Sequence, residues 1–341
     1  MLFEKSPNDV RELLPVPIKE LGLTVEGSPV EAFVHQLYRE LEAKGLRHFR
    51  PACYLTDQWG CPSEEPVIGI PFYLADRRVG AIESSVNDIE NEREIMMYMR
   101  HEAGHAFNYA YELYRTDEWR ELFGPFRRPY RERYRFVPFS RHFVRHIAGW
   151  YAQKHPDEDF AETFAVWLTP RSKWREKYKD WPALEKLRYV DRVCRELADK
   201  PPIRPFGETD FTVSDMGETI EEFYRANTVD ESQAIADLAL DVDLDDIFIS
   251  TDRVAPEQAR SASEFVLEHR KAIIDKVTYW TGVRRSLVKT LVEAIARRVG
   301  ELSLVVDRAR EREQVVELTV YVTTLAMNFF SAGRFERKST R

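Results

Sequence analysis

The sequence predicts an α+β domain over residues 1–205 and an all-α domain over residues 206–341. Three observations carry this division. Strand-like apolar segments, around Ala52–Leu55 and Val67–Ala75, occur only in the first region. Lys200-Pro201-Pro202 and the residues up to Gly207 read as a linker. Beyond it, three long helical patterns near 256–280, 284–299 and 301–331 run with almost no strand signal.

Taken in order, Ser28-Pro29-Val30-Glu31 reads as a capping box with proline at the first helical position. The helix it opens carries Val30, Phe33, Val34, Leu37 and Leu41 on one face and stops near Gly45. The segment VIGIPFYLA at 67–75 contains Pro71, which suggests an edge strand that donates no ladder bond there. A long helix is expected from about Asn87 to Tyr114, then a loop rich in Pro, Arg and aromatics to about Trp150. Helical patterning resumes over Asp157–Leu168 and Trp181–Leu197. From Glu208 to Asp252 there are 14 acidic residues and one basic residue, Arg225, so this stretch reads as an acidic capping or docking segment. Asp241, Asp243, Asp245 and Asp252 have calcium-loop spacing, but Asp246 stands where the sharp turn needs Gly.

The chain has 341 residues, of which 43% are hydrophobic and 32% charged, as in ordinary globular proteins. Its net charge of -8 removes any global reason to expect nucleic acid or an anionic membrane as partner. Cys53, Cys61 and Cys194 lack zinc-ribbon spacing and read as reduced thiols. With no signal-peptide pattern and no apolar run of spanning length, a cytoplasmic protein without membrane association is expected.

The chemistry centres on His101-Glu102-Ala103-Gly104-His105. Histidines at i and i+4 lie one helical turn apart on the same face, so both imidazoles reach one Zn2+. The intervening Glu102 sits beside the ion, where a carboxylate serves as general base. A hydrolytic zinc site needs a third protein ligand. Glu158 and Glu162, again i and i+4, supply the candidates: one binds the metal and the other holds a ligand histidine.

HEAGH at 101–105 followed by WYAQKHPDEDFAETFAVWL at 150–168 resembles the gluzincin-type zinc-binding metallopeptidases. It is similar, more distantly, to the catalytic domain of anthrax toxin lethal factor. The resemblance covers roughly residues 50–195 and implies a zincin-like domain, with a small edge-stranded sheet and an active-site helix. Carried over by position, it makes Glu158 the third ligand, Glu162 the carboxylate bonded to a ligand histidine, and Tyr151 the stabiliser of the oxyanion. The zinc ribbon found in many members is absent here, and the C-terminal domain lies outside the resemblance. The activity implied is hydrolysis of peptide bonds in a peptide or protein substrate. A zinc amidase acting on a non-peptide or modified-peptide amide is the alternative enzyme. A non-catalytic, zinc-stabilised interaction protein is the third reading, disfavoured by an intact Glu102.

Residues 127–145 carry seven arginines against one acid, Glu132, with aromatics interleaved. The segment reads either as a lid that grips a carboxylate or phosphate, as a nucleic-acid surface, or as a solvated or acid-docked basic face. His142, His146 and His155 lie close to the motif in sequence and read mainly as structural residues.

Overall fold

The computed structural model describes residues 11–87, 89–131, 134–226, 235, 238, 240–253, 255 and 257–332. It divides into two compact units, residues 1–85 with 89–221 and residues 86–88 with 222–341.

In the first unit, α1 (Glu31–Ala43) turns Val34, Leu37 and Leu41 inward and ends as Gly45 takes a left-handed φ of 91°. Its start departs from the sequence reading. Glu31 reaches back to the Gly27 N–H rather than to Ser28, and the Ser28 hydroxyl donates to the Val25 carbonyl, so no capping box forms.

β1 (Ala52–Thr56) and β2 (Val67–Pro71) pair in parallel, Ala52 opposite Val67. All five residues of β2 are buried, which explains a continuous apolar run instead of alternation. In a two-stranded sheet β2 is an edge strand, as its proline suggests. Pro71 closes the strand, where no ladder bond is required, and Gly60 bridges the other side of β2 at Gly69.

Helix α2 (Arg77–Val86) follows, and α3 (Glu92–Ala110) forms the spine of the unit. α3 starts later than Asn87 because Asn91 caps it: the Asn91 side chain accepts from Arg93 and Glu94 N–H, and Glu94 reciprocates. It stops before Tyr114 because Glu112 turns left-handed at φ 51°. The aromatic rings of Phe107, Phe49 and Phe164 meet behind α3, at 5.2 and 5.0 Å between centroids. α4 (Asp117–Phe123), α5 (Pro156–Leu168), α6 (Trp174–Lys177) and α7 (Ala183–Glu196) complete the unit. Between α4 and α5 the described chain is irregular apart from one 3-10 turn, Tyr151–Gln153.

The stretch expected to be a linker packs onto this unit. Arg204 donates to the Glu64 carbonyl and pairs with Glu65 at 2.9 Å, and its own N–H bonds the Ala110 carbonyl. Farther on, Ile18 N–H bonds Glu218 O and Ile220 N–H bonds Val16 O, so residues 216–221 return to the N-terminal segment. The unit boundary therefore falls after 221 rather than at 205.

The second unit is helical but not all-α. α8 (Asp241–Ile247), α9 (Ala262–Thr281), α10 (Arg285–Glu301) and α11 (Glu311–Ala332) surround a core that includes Phe265, Ile274, Leu291 and Leu318. β3 (Ile249–Ser250), β4 (Ala259–Ser261) and β5 (Leu304–Asp307) form an antiparallel sheet in the order β3-β5-β4. Strands of two to four residues are too short to show a period of two, which is why the sequence hid them. Asp241, Asp243 and Asp245 lie on α8, and Asp241 pairs with Arg298 at 2.6 Å, so they form no calcium loop. No helix among the described residues is long and apolar enough to cross a membrane.

Candidate metal centre

α3 and α5 cross at their small residues. A Cβ on Gly104 would lie 2.7 Å from Ala161 Cα and 2.9 Å from its carbonyl oxygen. The glycine inside the HExxH motif thus lets the two backbones touch, which brings Glu158 opposite the histidines.

His101 Nε2 lies 2.9 Å from Glu158 Oε2, His105 Nε2 lies 3.2 Å from the same oxygen, and the two Nε2 atoms are 3.1 Å apart. All three residues are buried. Ligands at about 2.0–2.1 Å from a tetrahedral zinc ion stand about 3.3 Å from each other, so this spacing matches a single ion with small adjustment.

The far side of each imidazole fixes which nitrogen offers its lone pair. His101 Nδ1 bonds Glu162 Oε1 at 3.0 Å, and His105 Nδ1 bonds Asp157 Oδ2 at 2.7 Å. A carboxylate there demands the N–H on Nδ1 and leaves Nε2 free to ligate. Glu162 is itself held by the Ile147 and His146 N–H groups at 2.9 and 3.1 Å. Asp157 is held by Asn108 at 2.7 Å and the Tyr109 hydroxyl at 2.5 Å. Glu158 keeps Oε2 for the cluster while Oε1 accepts from the hydroxyls of Tyr130 and Tyr151, at 2.5 and 3.2 Å.

The electrostatics favour a cation at the point where the Nε2 atoms meet. Burial opposes charge on His101, but Glu158 and Glu162 outweigh it and raise the pKa to about 9. For His105 burial is likewise outweighed, by Asp157 and Glu158, and its pKa is raised well above the ordinary value. Burial also opposes ionisation of Glu158, yet the facing imidazoles hold its carboxyl well below the usual carboxylate range. Whether proton or metal ion, positive charge belongs there. Two imidazoles and a carboxylate, with both remote nitrogens anchored, form a donor set that suits a divalent metal ion such as zinc.

Glu102, buried beside the histidines, has its carboxyl pKa raised by burial, with His101 and His105 pulling the other way. No described residue donates a hydrogen bond to its carboxylate, which faces a cavity of about 570 Å³. The cavity is also lined by Trp59, Cys61, Tyr109, Arg127, Arg128 and Tyr151. Burial and nearby Glu158 raise the pKa of Tyr151, so its hydroxyl stays a donor.

Every sequence-predicted site residue thus lies in one place: His101, His105 and Glu158 as the cluster, Glu162 behind His101, and Glu102 and Tyr151 on the cavity wall. His155 caps α5 through Asp157 N–H and donates to the Arg128 carbonyl at 2.7 Å. His146 bonds the Met97 carbonyl, and His142 is exposed. Two residues escaped the sequence reading. Asp157 looks like an ordinary first-turn acid, although its place next to Glu158 and opposite Asn108-Tyr109 was a usable signal. Tyr130 lies 28 residues before Glu158 in irregular chain and offered none.

Comparison with curated proteins and with solved structures returned no match. Residues 76–176, which hold all of these site residues and under a third of the chain, match the family described as "Putative zinc-binding metallo-peptidase".

Proposed function

We propose that the chain is a zinc-dependent peptidase in which His101, His105 and Glu158 hold the metal and Glu102 is the general base. The single observation that carries this is a buried carboxylate, with no hydrogen-bond donor among the described residues, beside three convergent ligand atoms in the lining of a cavity. Zinc, when bound, supplies Lewis acidity that brings the pKa of water from 15.7 towards 7 and polarises a carbonyl.

The protein groups do the rest. Glu102 takes the proton from the attacking water and returns it to the leaving amine; its raised pKa suits both transfers. Tyr151 donates to the oxyanion that develops on the scissile carbonyl, giving up its bond to Glu158 Oε1. Glu162 and Asp157 keep both imidazoles aimed throughout. A zinc amidase would use the same groups.

The test is hydrolysis of a peptide library by zinc-loaded protein, with Glu102→Gln as control. Cleavage lost in that variant while zinc is retained supports the reading. Cleavage of a non-peptide amide alone favours the amidase. Intact activity in Glu102→Gln overturns the mechanism.

A further inference from the structure

The cavity's charges are unevenly satisfied. Of its acids, Glu64 accepts from the Tyr114 hydroxyl at 2.5 Å and faces Arg115 at 3.6 Å. Asp157 and Glu158 are engaged with the imidazoles, and Glu102 is the base. Its cations are Arg127 and Arg128, both exposed, and neither guanidinium pairs with an acid among the described residues.

These arginines are nevertheless firmly carried. Phe126 before them packs its ring 4.3 Å from Tyr114 and 6.0 Å from Trp119. Tyr130 after them bonds Glu158, and the Arg128 carbonyl accepts from His155, which caps the helix bearing Glu158. Pro125 and Pro129 bracket the pair and restrict its backbone. Arg128 stands two residues from a side chain touching the cluster, about 7 Å of extended chain. Both arginines line the same cavity as His101, Glu102 and His105, so a carboxylate on a substrate lying there stands close to their guanidinium forks.

Resting on the peptidase reading, we propose that Arg127 and Arg128 form a carboxylate subsite, so that the preferred substrate carries an acidic side chain or a free C-terminal carboxylate near the cleaved bond. A guanidinium presents paired N–H donors to such a group, and an unpaired one loses no existing partner on binding.

The experiment measures fluorescence anisotropy of labelled peptides on full-length Glu102→Gln protein, which does not turn them over. Peptides differ by Glu against Gln at each position and by a free against an amidated C-terminus. The carboxylate peptides are expected to bind about tenfold tighter, a gap that shrinks with added salt and closes in the Arg127→Gln/Arg128→Gln variant. A gap that follows the side chain identifies an internal acidic residue; one that follows the terminus identifies the terminal carboxylate. Equal binding of charged and neutral peptides, or a gap that survives both substitutions, overturns the subsite. Because binding is read without turnover, a gap without cleavage by the unsubstituted protein would keep the subsite and sink the peptidase reading.

Discussion

At the scale of single residues, the candidate centre separates holding the metal from doing chemistry. Glu102→Gln is expected to keep zinc, measured by atomic absorption, and to lose about 10²–10⁴-fold in kcat, the usual size of a general-base contribution. Glu158→Ala should empty the site. Glu162→Ala and Asp157→Asn should each weaken zinc binding about 10–100-fold, since they only aim the imidazoles. If Glu162→Ala emptied the site and Glu158→Ala did not, the ligand assignment would be reversed. After chelation, a His101 pKa of about 9 means that zinc must displace a proton. Zinc uptake in weak buffer should therefore release acid, and apparent affinity should rise with pH through about 9. The chelated protein shows the converse. A pKa raised from about 6.5 contributes stability that is complete below 6.5 and is lost as pH climbs through about 9, readable as a falling Tm over that window.

At the scale of elements, the site depends on how closely α3 and α5 approach. Gly104→Val places branched atoms where Ala161 backbone stands, so the helices must separate. The expected cost is about 1–3 kcal/mol by denaturant titration, with a larger loss of zinc affinity, because Glu158 recedes from both histidines together. A Gly104→Val protein with normal zinc binding would show that this crossing does not set the ligand geometry. How much of this was legible follows from the elements themselves. His101, Glu102 and His105 could be read because helical spacing alone puts i and i+4 on one face. Tyr130 could not, since its bond to Glu158 exists only once an irregular segment has folded back over α5. The capping box at Ser28 failed because a glycine amide lay within reach of Glu31 first. β4 and β5 were absorbed into helical patterns because apolar residues such as Val305 and Val306 continue either period.

At the scale of the whole molecule, each unit has a core of its own, and the candidate metal centre belongs to the first alone. Zinc at about 1,000 times its dissociation constant adds about 4 kcal/mol to the state that binds it. Calorimetry with and without chelator should therefore move the unfolding of the first unit by about 10 °C and leave that of the second in place. Equal displacement of all transitions would mean that the two cores do not melt separately. The boundary at 221 was hidden in sequence because the proline-rich stretch resembling a linker is bonded onto the loop before β2 and onto α3.

The irregular chain between α4 and α5 is stitched to the centre at three points: Tyr130 to Glu158, the Arg128 carbonyl to His155, and the 146–147 amides to Glu162. On the zinc reading, withdrawing the ion should loosen the very carboxylates that anchor those stitches, in a stretch dense with arginine. Trypsin thereby becomes a reporter of occupancy: nicks after Arg131, Arg135 or Arg141 should accumulate faster in chelator, long before either core unfolds.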